Sequence, residues 1–95
     1  MQIVLSEIST NPITNENVEY WMLRDPTITF SFRIFRKSKI IQLMFFPDQH
    51  DKNNIKKSIK FIVDLKDYLN INGYKIDKTL RSCEVFKEIY GTDII

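Results

Sequence analysis

Glycine and cysteine are both scarce in this chain of 95 residues, with two of the first and one of the second. Gly73 and Gly91 leave almost no material for the glycine-rich loops that bring backbone amides against a phosphate. A lone Cys83 excludes an internal disulfide. Secreted domains of this size are normally stapled by several, so a reducing, cytoplasmic setting is expected. The N-terminal run Met1-Gln2-Ile3-Val4-Leu5-Ser6-Glu7 has neither the basic stretch nor the apolar core of a signal peptide. The longest apolar run, Leu43-Met44-Phe45-Phe46, falls far short of the roughly 20 residues that span a bilayer. Neither His-x₃-His nor Cys-x₂-Cys spacing occurs, so no metal site is expected. His50, with Asp48 and Asp51 nearby, reads as part of a solvated loop in which an Asp caps the following helix.

What the chain does have is enough apolar material to fold. It is 43% hydrophobic and 13% aromatic, against 27% charged, which excludes disorder and predicts one domain over residues 1–95. Its wealth of Ile, Lys and Asn and its shortage of Ala and Gly suit an AT-biased genome, such as that of a phage, another mobile element or a low-GC bacterium. The net charge of +2 hides an asymmetry. Residues 1–32 set Arg24 against Glu7, Glu16, Glu19 and Asp25. Residues 33–60 set Arg33, Arg36, Lys37, Lys39, Lys52, Lys56, Lys57 and Lys60 against Asp48 and Asp51. A modest net charge can still produce a strong local field when it is gathered in this way.

Periodicity supplies the elements. Gln2 to Ile8 reads as a strand. Thr14 can cap a short helix over Asn15 to Arg24, with Val18, Trp21 and Met22 at i, i+3 and i+4, ended by Asp25-Pro26. Thr27 to Phe35 alternates, with Ile28, Phe30, Phe32 and Ile34 on one face. Ile40 to Phe46 is a second, more buried strand. A long amphipathic helix, capped by Asp51 or Asn53, runs to about Ile71, with Ile55, Ile59, Ile62, Val63, Leu65 and Leu69 in one stripe and Gly73 as its left-handed cap. Tyr74 to Lys78 is a short strand. Ser82 caps a last helix through Tyr90, which holds Cys83 in its apolar arc and stops at Gly91. The expectation is an α+β domain of order β-α-β-β-α-β-α, its helices packed on a sheet, as in a ferredoxin-like split βαβ or a reduced GNAT-like fold.

The informative cluster is basic. Lys56, Lys57 and Lys60 occupy the first turns of the long helix, where the macrodipole opposes positive charge, and so suggest an anionic partner. Arg33, Phe35, Arg36, Lys37 and Lys39 mix aromatic and cationic groups as single-strand-binding surfaces do. With Lys52, these cations form the expected partner surface. Tyr20 and Trp21 are the interface candidates, since aromatic residues dominate binding hot spots.

From Ile40 onward the sequence resembles the second half of a GNAT-superfamily N-acetyltransferase: an apolar strand ending in Phe46-Pro47, a loop, a long helix, Asn72-Gly73-Tyr74, a short strand and the helix Ser82 to Gly91. The resemblance implies an acetyl-CoA pyrophosphate loop at Gln49-His50-Asp51-Lys52-Asn53-Asn54 and a general-acid role for Tyr90. That stretch has no glycine where the family has Gly-x-Gly or Gly-x-Ala, so the resemblance implies the scaffold without the cofactor site. No catalytic constellation can be assembled, and no cofactor is expected outside that resemblance. The first expectation is therefore a small non-catalytic binding or regulatory protein that meets a nucleic acid or protein partner through the basic hairpin and helix. The alternatives are a minimal acyl-CoA-dependent N-acetyltransferase and a structural homo-oligomer that uses Trp21 and exposed strand edges.

Overall fold

A computed structural model describes residues 2–44, 52–77 and 81–95. The His50 loop, the expected strand end at Phe46 and residues 78–80 lie outside the described residues. The elements are β1 (Gln2–Thr10), β2 (Asn17–Asp25), β3 (Ile28–Phe35), β4 (Ile40–Met44), α1 (Lys52–Asp64), α2 (Lys66–Leu69), β5 (Lys75–Ile76) and α3 (Arg81–Tyr90). The strands form one sheet in the order β1-β2-β3-β4-β5. The first four make an antiparallel meander, and β5, reached through α1 and α2, lies parallel to β4. The class is α+β, with the helices on one face of a mixed sheet.

The alternation in β3 sets this layering. Ile28, Phe30, Phe32 and Ile34 are buried and meet Leu23 of β2 and Ile41 and Leu43 of β4 in one core. From above, α1 contributes Ile55, Ile59 and Ile62, α2 contributes Leu69, and α3 contributes Cys83, Val85 and Phe86. Trp21 extends the aromatic floor, stacking on Phe32 with ring centroids 6.3 Å apart and planes within 6°.

One expected helix is a strand. Residues 17–25 form β2, paired along its length with β1 on one side and β3 on the other. Val18, Trp21 and Met22 do fall at helical spacing, but Val, Tyr and Trp favour extended backbone, and two strand partners outweigh one local cap. Glu19, Trp21 and Leu23 face the helices while Val18, Tyr20 and Met22 face away, so both sides are partly covered and the alternation is blurred. The order is thus β-β-β-β-α-α-β-α, and the first crossover of a split βαβ is replaced by the meander.

The long helix is also divided. Leu65 leaves helical geometry at φ −98° and ψ 6°, its N–H shared between the carbonyls of Phe61 and Ile62. After one further turn, Asn70 takes the left-handed position at φ 56° that Gly73 was expected to hold. Gly73, at φ 82°, serves the next turn instead, and Gly91, at φ 72°, follows α3 as expected. Ser82 lies inside α3 rather than at its cap, buried and with its hydroxyl unpartnered. The C-terminal residues return along β5, with an antiparallel bridge between Lys75 and Ile94 and hydrogen bonds from Ile76 N to Asp93 O and from Ile95 N to Tyr74 O.

Because Phe32 is fully buried at the centre of this core, Phe32→Ala should cost about 3 to 5 kcal/mol in urea unfolding. Ile13→Ala, at a site 92% exposed, should stay within about 0.5 kcal/mol. Equal losses at the two positions would contradict the layering.

Candidate functional site

Two acidic residues organise the surface before any cation is free to act. Glu19, on the helix-facing side of β2, accepts hydrogen bonds from Arg36 Nε at 2.6 Å and Nη2 at 3.1 Å, and from Trp21 Nε1 at 3.0 Å. Arg36 also donates from Nη1 to the Asn70 carbonyl at 3.0 Å and lies over the Tyr74 ring. The end of β3 is in this way tied to the C-terminus of α2. Burial pushes the Glu19 carboxyl up, but the bonds from Arg36 and Trp21 and the nearby guanidinium charge outweigh it and hold the group below its ordinary value. Glu16, buried just before β2, accepts from the Ser38 backbone N–H at 2.7 Å and from its hydroxyl at 3.0 Å, fastening the β1–β2 loop to the β3–β4 turn.

Among the described residues, the opposite side of the sheet has no helix over it. Cross-strand register aligns Tyr20, Arg33 and Gln42 in one row and Val18, Phe35, Ile40 and Lys75 in the next. Arg33 Nη1 donates to Gln42 Oε1 at 3.0 Å, and Gln42 Nε2 donates to Asp77 Oδ2 at 2.9 Å. The guanidinium carbon stands 5.3 Å from the centre of the Tyr20 ring. Arg33 Nε–H is buried with no acceptor, as only Ser82 Oγ is otherwise among the described side chains. Val18, Tyr20, Arg33 and Phe35 floor a groove of about 310 Å³, walled by Thr10 and Ile13 of the β1–β2 hairpin. Asn11 holds that loop in shape, its side-chain oxygen accepting from the Ile13 N–H at 2.9 Å.

The expected cations fall into separate groups. Arg33 lies in the groove, while Lys37 and Lys39 are exposed at the β3–β4 turn beside it. Lys39 takes a left-handed φ of 56° and gives its carbonyl to Lys75 N, which brings the exposed Lys75 to the same end. Arg36 is consumed by Glu19 and Asn70. Lys52 pairs with Glu88 of α3 at 2.6 Å, both groups about half exposed. Lys57 and Lys60 line a cleft of about 290 Å³ with Thr27, Phe61 and Asp64 beside the β2–β3 turn, and Lys56 is half-buried in the same helix. That turn is separated from Lys37 and Lys39 by the length of β3, roughly 25 Å for its eight residues. The hairpin and helix lysines therefore do not form one surface. Tyr20 and Trp21, adjacent in sequence, point to opposite faces.

Neither the anchoring roles of Glu16 and Glu19 nor the groove itself is apparent from the sequence pattern. The signal for the groove lay in Phe35, the one aromatic among the outward positions Thr29, Ser31, Arg33 and Phe35 of an otherwise polar face. Among the described residues no group of three His, Cys, Asp or Glu side chains could hold a metal, and no helix is long and apolar enough to cross a membrane. No family model, curated protein or solved structure matches the chain. The functional reading therefore rests on these residues alone.

Since the folded Glu19 carboxyl titrates below its ordinary value of 4.5, its stabilisation is complete above that pH and is lost as pH falls through the depressed value. Glu19→Gln should lower stability at neutral pH by about 1 to 2 kcal/mol and flatten the acid limb of a melting-temperature profile. Parallel acid profiles for the two proteins would show that this carboxylate does not set the limb.

Proposed function

We propose that the protein is a non-catalytic module that binds single-stranded nucleic acid on the uncovered face of its sheet. The observation that carries this reading is the presence of Tyr20, Arg33 and Phe35 on adjoining strands in one open groove. Aromatic rings on a sheet offer stacking platforms to any base, and a guanidinium between them supplies charge and donors to phosphate or base oxygens. Lys37, Lys39 and Lys75 extend the positive charge from one end of the groove along the path of a backbone. A duplex keeps its bases stacked inside and cannot use the rings. The α1 lysines, on the other layer, belong to a different surface.

A second reading draws on the helical crossover from β4 into parallel β5 together with the sequence resemblance: an acyl-CoA-dependent N-acetyltransferase. Residues 49–51 of the loop which that reading needs lie outside the described residues. A rise in melting temperature with acetyl-CoA would support it, and no rise at saturating concentration would remove it.

Fluorescence anisotropy with a labelled single-stranded oligonucleotide tests the first reading. Tyr20→Leu and Phe35→Leu keep apolar bulk but remove the rings, and each should weaken binding by about 5-fold or more. Lys57→Glu with Lys60→Glu should change affinity far less than Lys37→Glu with Lys39→Glu. Preference for duplex, or loss confined to the α1 variant, would refute the groove as the site.

A further inference from the structure

We propose that β1 is the seat of a symmetric dimer, in which a second copy of the chain adds its own β1 antiparallel across a twofold axis at Leu5. β1 is a nine-residue edge strand with β2 as its sole strand neighbour among the described residues. It carries neither lysine nor proline, Glu7 is its single charge, and one bulge is its sole irregularity against β2. Val4, Leu5 and Ile8 are 45%, 40% and 58% exposed.

The bulge in β1 makes this edge self-complementary. Leu5 opposes Trp21 and Glu7 opposes Tyr20, so Ser6 is the extra residue. Without it Ile8 would point to the open face. With it Ile3, Leu5 and Ile8 stand at successive positions on the helix-facing side, symmetric about Leu5. Antiparallel pairing through Leu5 then sets Leu5 against Leu5 and each Ile3 against an Ile8, covering side chains that are exposed or only partly buried in the single chain. On the open face Glu7 comes opposite Val4 of the second copy, one position from Gln2, whose cross-strand neighbour is Arg24. Neither the Glu7 nor the Arg24 side chain has a hydrogen bond or ion pair among the described residues, and the pairing offers each the other's opposite charge.

Symmetry favours a second copy over a foreign strand. The far edge of the sheet is occupied at β5 by the C-terminal residues bonded to it, so among the described residues β1 is the long free edge, and pairing through it closes at two. A twofold axis normal to the sheet also places both uncovered faces on the same side of a ten-stranded sheet.

Sedimentation equilibrium over a concentration series tests this without nucleic acid, so its outcome is separable from that of the groove. The wild-type chain should approach twice 11.4 kDa. Leu5→Lys sets two ammonium groups against each other at the axis and should weaken dimerisation by at least about 10-fold, with an unchanged thermal melt of the monomer. Should that variant unfold, charge exchange provides the second test: Glu7→Arg and Arg24→Glu should each weaken the dimer, and the double variant should restore it. A wild-type chain that stays monomeric throughout, or a dimer indifferent to both kinds of variant, would overturn the proposal.

Discussion

The period-two pattern of β3 is the constraint on which the rest of the molecule depends. Ile28, Phe30, Phe32 and Ile34 give the sheet one face that must be buried, and α1, α2 and α3 supply the cover. All three helices lie on that side, so among the described residues the other face carries no helical layer. Its residues are accordingly free to be selected for something other than packing. Arg33 and Phe35 occupy the same strand as the core aromatics and differ from them in phase alone.

Charge is divided by the same layering. A basic middle third suggests one extended cationic surface, yet folding sends its members to different places. Arg36 is spent in fixing the end of β3 to α2 through Glu19 and the Asn70 carbonyl. Lys57 and Lys60 sit at the far end of the helical layer. Lys37, Lys39 and Lys75 remain at the mouth of the groove, where the Glu16 contact to Ser38 steadies the turn that presents two of them. The acidic residues thus shape the surface as much as the cations do. Glu16 and Glu19 are half or more buried because they hold turns and strand ends together.

Much of the fold was legible where one periodicity stood alone. β1, β3, β4 and the last helix followed from alternation or from a 3.6-residue stripe, and Gly91 marked a true helix end. β2 was not legible, because a strand partly covered on both faces loses its alternation and its aromatic spacing imitates a helical arc. The break at Leu65 was hidden because the apolar stripe continues through it, and the left-handed cap fell to Asn70, which competes with glycine for that geometry. The site was half legible. The aromatic and basic character of the hairpin was visible at Arg33 and Phe35, but Tyr20 joins them through a cross-strand pair with Arg33 that requires β2 to be a strand.

The proposed ligand-binding surface is the uncovered sheet face rather than the lysine-bearing helix. Amide chemical-shift mapping on titration with a short single-stranded oligonucleotide addresses it directly. Perturbations should concentrate in 18–22 and 31–35 and extend to the turn at 37–39, with α1 unaffected. Perturbations centred on 56–64 and absent from β2 and β3 would contradict it.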